Sequence, residues 1–149
     1  MFRFPFLLTL LGFMLILPTS CSNNDEPEDA LPVEITRFME FYFAGREYHD
    51  TKTSDGYIVE IPDSVTITFN SDNQWIDING NGGTLNGDFL LYNLLPEKLY
   101  NYLLETEQTD QVYQVKRHIN LYTVYLLDSS VTYNTQTDAF QPTAPNDSV

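Results

Sequence analysis

An internal repeat constrains this chain more than any other feature. Leu31-Pro32 recurs as Leu95-Pro96, Ile35 as Leu99, Phe38 as Tyr102 and Met39 as Leu103. Further on, Tyr57 to Ser64 is echoed by Tyr122 to Ser129, Phe69-Asn70 by Tyr133-Asn134, and Trp75 by Phe140. The offset is 64 or 65 throughout. A repeated order of apolar positions and turn residues points to one supersecondary unit used twice.

Each half opens on a helical pattern. Leu31, Ile35, Phe38 and Tyr42 fall at helical spacing, with Pro32 and Glu34 suited to a first turn and Gly45 to a stop. In the second half Leu95, Leu99, Tyr102 and Leu103 form the stripe after Pro96-Glu97. Each half then changes to period two. Tyr57, Val59 and Ile61 share one strand face, and Val65, Ile67 and Phe69 share the next, with Thr66 and Thr68 opposite. Tyr113 to Ile119, Leu121 to Leu126 and Val131 to Tyr133 follow suit. Ser54-Asp55-Gly56 and Ser71-Asp72-Asn73 carry turn chemistry. The pattern predicts an α+β domain of two tandem repeats, about 31–78 and 95–140. Each repeat is one helix followed by three or four antiparallel strands, with the helices packed on one face of the sheet. Residues 79–92, rich in Gly and Asn, read as the connection.

The ends read differently. Residues 1–20 have one cation, Arg3, then an apolar run from Phe4 to Leu17, then small polar residues: the order of a secretory signal. Cys21, the only cysteine, follows Pro18-Thr19-Ser20 and resembles the lipobox at which a bacterial lipoprotein is cleaved and acylated. Acyl chains on Cys21 would hold the protein to a membrane without a spanning helix. Residues 21–30 carry Asp25, Glu26, Glu28 and Asp29 and read as an acidic, flexible tether. An acidic run after a lipidated Cys resembles a signal for outer-surface display. Residues 141–149, with Pro142 and Pro145, read as a disordered tail. The expected location is the bacterial envelope, at the outer membrane, with a face toward the exterior.

Charge then excludes function classes. The formal charge is −14, from 7 basic and 21 acidic side chains. Removal of residues 1–20 takes Arg3 with it and leaves 6 against 21, a formal −15. Nucleic-acid binding needs a basic face, so it is not expected. A lone Cys can build neither an internal disulfide nor a Cys-rich zinc site.

The Leu-Pro helix start, the strand ending Asp63-Ser64, Phe69-Asn70 before a turn, Trp75 after it, and Asn93 to Leu99 at the entry to the second helix together resemble the PepSY-like, putative β-lactamase-inhibitor-like family. Its members are small secreted or lipid-anchored bacterial proteins, commonly with two such repeats. The resemblance spans about residues 31–140 and implies a non-enzymatic envelope protein.

Three groups of residues are candidate sites. Asp77, Asn79 and Asn81, with Gly82 and then Asp88, have the oxygen-ligand spacing of a calcium loop, while also suiting an ordinary inter-repeat turn. His49-Asp50 and His118 are the only histidine positions, and no nucleophile or second acid stands at a readable spacing, so no catalytic residue is assigned. Beyond the leader the chain keeps ten Tyr, six Phe and one Trp. Phe38, Tyr57, Phe69, Trp75, Tyr122 and Tyr133 fall on core faces. Tyr48, Tyr100 and Tyr125 fall off them and are the expected partner-binding residues.

The function expected is a lipid-anchored binding protein that sets a strand face or inter-repeat groove against an unknown protein of the envelope or exterior, with inhibition as one outcome. A carbohydrate-binding surface lipoprotein and a calcium-binding envelope domain are the alternatives. No cofactor other than calcium is indicated.

Overall fold

The computed structural model describes residues 30–85 and 88–142. Three helices, α1 (Val33–Tyr42), α2 (Asp88–Leu94) and α3 (Glu97–Glu105), accompany eight strands: β1 (His49–Thr53), β2 (Gly56–Ile61), β3 (Val65–Asn70), β4 (Trp75–Asn79), β5 (Val112–His118), β6 (Leu121–Leu126), β7 (Ser130–Asn134) and β8 (Ala139–Pro142). The expected leader, Cys21, nearly all of the tether, and residues 143–149 lie outside the described residues.

Pro32 and Pro96 start two of the helices in the same way. Their φ/ψ values of −52/143 and −54/137 are extended, so each stands just before the first helical residue. Lacking an N–H, each spares the helix one orphan donor. Each carbonyl accepts the first helical bond, from Thr36 N and Tyr100 N, both at 3.0 Å. Gly45, at φ 73°, turns the chain out of α1. α3 stops at Thr106, whose hydroxyl bonds the Tyr102 carbonyl at 2.7 Å. α2 departs from the expected connection. Its Leu90, Leu91 and Leu94 are buried, and that apolar spacing was hidden among Asn and Gly neighbours.

The strands form one antiparallel sheet in sequence order, β1 to β8. β4 and β5 are neighbours although α2 and α3 intervene. Register puts one β-branched row across six strands: Val59 faces Ile67, then Ile78, Val115, Val124 and Val131. Side chains on this row share one face, since residues directly opposite across a ladder point the same way. The first five are fully buried. Ile35, Met39, Leu99 and Leu103 of the helices are buried in the same cluster. Fully burying each such side chain stabilises by about 1.5–3 kcal/mol. Rings tie helix to strand, Phe38 edge-on to Phe69 at 5.3 Å and Tyr102 against Phe140 at 4.7 Å.

Both sheet edges are blunted. All five β1 residues are exposed, and its core-side positions, opposite Val59 and Tyr57, are the charged Asp50 and Lys52. A charge on the inner side of an edge strand discourages a further strand. Pro142 ends β8 with no N–H to offer. β8 therefore holds Gln141 and Pro142, which the sequence assigns to the tail.

The β3–β4 and β7–β8 turns are built alike. Asn70 Oδ1 accepts from Asp72 N at 3.0 Å and Gln74 N at 2.9 Å. Asn134 Oδ1 accepts from Gln136 N at 2.8 Å and Thr137 N at 3.2 Å. Asn73 and Asp138 then take left-handed φ values of 59° and 54°. Each turn is fastened to a helix start: Asn73 Nδ2 donates to Glu34 at 3.3 Å, and Lys98 Nζ meets Asp138 at 2.7 Å.

Candidate functional site

The residues between the core positions define the other face of the sheet. Along one row Thr68 faces Asp77, then Lys116, Thr123 and Thr132. Along the next, Thr66 faces Asn79, then Gln114, Tyr125 and Ser130. Thr, Gln and Tyr suit such positions because their branched or long bodies pack on a pleated surface while their polar ends reach out. The register shift between Val112 and Gln114 leaves Tyr113 without a direct partner, a bulge that re-aims one side chain. The Tyr113 ring centroid lies 6.1 Å from that of Tyr125.

These groups are organised by one another. Gln114 Nε2 donates to both Asp77 carboxylate oxygens, at 2.9 and 3.0 Å. Lys116 Nζ is 3.9 Å from Asp77 Oδ2 and 5.6 Å from the Tyr125 ring centroid. The Thr123 and Thr132 hydroxyls are 3.1 Å apart. Asp77 keeps 28% of its side-chain exposure and Lys116 49%, so the cluster is reachable from water. An ammonium over a Tyr ring beside a neutralised carboxylate makes a polar and aromatic surface with little net charge. It can accept and donate hydrogen bonds and offer ring area to a partner.

The residues singled out from sequence scatter over the molecule. Tyr125 lies at the middle of this face. Tyr48, just before β1, and Tyr100 on α3 are half-buried and pack against the core. The Tyr100 ring meets Tyr92 at 5.3 Å. Asp77 and Asn79 are strand residues of β4 rather than loop residues. Asn79 Oδ1 accepts from Asn81 N at 2.9 Å, and Asn81 Oδ1 accepts from the Thr66 hydroxyl at 3.1 Å. Asp88 begins α2, and its side chain lies outside the described residues. Among the described residues no three His, Cys, Asp or Glu side chains gather as a metal site would require. His49 and Asp50 are neighbours on β1, so their side chains leave opposite faces. Sequence reasoning passed over Tyr113, Gln114 and Lys116. The bulge breaks the alternation within β5, so their face is legible only once Val112 and Val115 are known to be the buried pair.

A cleft of about 520 Å³ lies at the other end of the sheet, lined by Tyr42, Phe43, Arg46, Asp63 and Phe89 among others. Among the described residues its lining carries one cation, Arg46, and one carboxylate, Asp63.

No family model and no curated protein matches this chain. Several solved structures share its fold, two of which are described as periplasmic. A proposed periplasmic protein of unknown function from Bacteroides vulgatus is 16% identical, with a TM-score of 0.59, over 76% of this chain and 92% of that one. A proposed periplasmic protein of the DUF2874 family, from the same organism, is 15% identical, with a TM-score of 0.60, over 78% of this chain and 91% of that one.

Proposed function

We propose that this chain is an exported envelope protein, lipid-anchored through Cys21, that holds a protein partner on the polar and aromatic face of its sheet. The observation that carries the reading is the preorganised set Asp77, Gln114, Lys116, Tyr113 and Tyr125. Tyr is enriched among residues that dominate interface energies, because it brings large area at low entropic cost. Groups already held in place lose little freedom on binding. The envelope location is supported by the leader-like residues 1–20 and by likeness to two proteins described as periplasmic.

The architecture is read as two tandem PepSY-like repeats with their helices on one face. The matched Pro32 and Pro96 starts, Asn70 and Asn134 turns, and left-handed Asn73 and Asp138 support it, all at offsets of 64 or 65. Such a layout leaves the opposite face free to bind.

The test uses the full-length lipoprotein, affinity-captured from detergent-solubilised envelopes of the producing cell. Wild type is expected to enrich a protein that the Tyr113→Ala/Tyr125→Ala pair does not, at unchanged melting temperature. Equal recovery by both would sink the sheet face as the site. Binding on a glycan array would replace the protein partner with a carbohydrate.

A further inference from the structure

Ile119 stands largely in solvent at the tip of the β5–β6 hairpin. The residue is 80% exposed, more than any other large apolar residue described. Its φ is 52°, left-handed backbone that an L residue adopts at a cost and a β-branched residue adopts least readily. Among the described residues the other non-glycine positions with positive φ are Asp63, Asn73, Asn81, Glu107 and Asp138, all polar. The sequence pattern carries a strand through Ile119; the structure ends β5 at His118 and pairs it with Leu121, leaving Ile119 and Asn120 as the turn.

Its setting makes the choice of Ile sharper. Three other hairpin tips share this end of the sheet: Ser54-Asp55, Ser71 to Gln74, and Thr135 to Asp138. Each is polar throughout. The Ser54-Asp55 tip stands 65 residues earlier, in the equivalent hairpin. The Ile119 turn is also pinned. The Asn120 carbonyl accepts from Thr135 N at 2.9 Å and from the Thr135 hydroxyl at 3.2 Å, and Asn120 Nδ2 donates to Gln136 at 3.2 Å. Ile119 itself lines a groove of about 500 Å³ with Asp72, Gln74, Ile76, Arg117 and His118. Arg117 is held there, its guanidinium 4.7 Å from the Trp75 ring centroid and bonded to Gln74 Oε1 at 3.3 Å.

We propose that Ile119 is the anchor by which this chain docks its protein partner, entering an apolar pocket rimmed by basic side chains. An exposed apolar side chain in unfavourable backbone, held on a rigid turn, is arranged for insertion rather than for folding. With Arg117 engaged by Trp75 and Gln74, the exposed Asp55 and Asp72 of two neighbouring tips and the chain's excess of 21 acidic over 7 basic side chains complement a basic rim and oppose an anionic membrane surface. The inference rests on the partner-binding reading above. It adds where the partner's pocket sits, at the His118 end of the sheet.

The experiment places p-benzoylphenylalanine at Ile119, at Ser54 or at Tyr125 of the full-length lipoprotein in the producing cell. Light-induced adducts are identified by mass spectrometry. The identified protein is then purified and titrated against wild type, Ile119→Leu and Ile119→Gly. The expected result is an adduct with a basic-surfaced protein from Ile119 and not from Ser54. Its affinity should fall at least about tenfold for Ile119→Gly and recover in Ile119→Leu, while the melting temperature of Ile119→Gly does not fall. No adduct at Ile119, equal adducts at Ser54, an adduct with lipid or with a second copy, or an affinity indifferent to Ile119→Gly would each overturn it. An adduct at Tyr125 alone overturns this inference and leaves the sheet-face reading standing. Adducts at neither position overturn both.

Discussion

The Tyr133 hydroxyl donates to Asp138 Oδ1 at 2.6 Å across the β7–β8 turn. Lys98, at the start of α3, reaches the other oxygen of the same carboxylate at 2.7 Å. One side chain thus fastens a helix 40 residues away in sequence to a turn.

This arrangement has a pH signature at both ends of the scale. The Lys98 ammonium, then the Tyr133 hydroxyl, hold the Asp138 carboxyl below its ordinary range. A depressed acid stabilises the fold above its unfolded pKa and loses that contribution as pH falls through the folded one. Tyr133 is raised, first by its bond to Asp138 and then by burial. Its contribution is present below the ordinary phenol range and is lost as pH rises through the raised value. Thermal melts of Asp138→Asn are expected to show a lower melting temperature at neutral pH than wild type, and a shallower decline on the acid side. An acid limb identical to that of wild type would refute the assignment.

The β-branched row predicts a contrast between adjacent residues. Ile67 is fully buried between Val59 and Ile78, so Ile67→Ala is expected to cost about 2–5 kcal/mol. Thr68, on the other face, should cost under about 1 kcal/mol as Ala. Urea denaturation of the two variants measures both, and similar losses would contradict the two-faced reading of β3.

Glycines separate in the same manner. At Gly56, φ is 145° and an added Cβ would collide with the Phe69 carbonyl oxygen of the paired strand. Gly56→Ala is expected to destabilise by about 2–4 kcal/mol. At Gly82, φ 91°, an added Cβ meets nothing within 4 Å. Gly82→Ala should cost only about 1 kcal/mol, from the backbone alone.

Asp77, Asn79 and Asn81 give a prediction about calcium. Each has a side-chain oxygen already accepting a hydrogen bond, from Gln114, the Asn81 backbone and Thr66 respectively. Calcium would have to compete with these bonds for the same oxygens. Melts in millimolar calcium are expected to match melts in a chelator, whereas occupancy at about 100 times Kd would add about 2.7 kcal/mol. A calcium-dependent rise abolished by Asp77→Ala would establish these residues as a metal site.

Much of the fold was legible because its signals are local. Leu-Pro starts, period-two runs such as Val65 to Phe69, and Asn-rich turns require no knowledge of distant residues. α2 was missed because four apolar residues in seven, flanked by Gly and Asn, read equally well as a connection. The extent of β5 was misjudged because His118 and Ile119 both continue an apolar-tolerant run, and only pairing with Leu121 moves Ile119 to the turn. Of the candidate site, Tyr125 was found by its parity on β6. Gln114 and Lys116 were not, because a bulge at Tyr113 shifts parity within β5 and no single-strand pattern reveals a bulge.

By itself, then, the sequence determined most of the element types, α2 excepted, with the apolar positions and the acid excess, since each depends on side-chain chemistry and on spacing along one segment. Only the tertiary structure decided which residues meet. Strand pairing set Asp77 beside Gln114 and Lys116. The helix–turn contact set Lys98 on Asp138, and the hairpin register set Ile119 in left-handed backbone at an exposed tip. Those relationships arise between segments tens of residues apart, where a shift of one residue in register would turn every strand side chain to the other face.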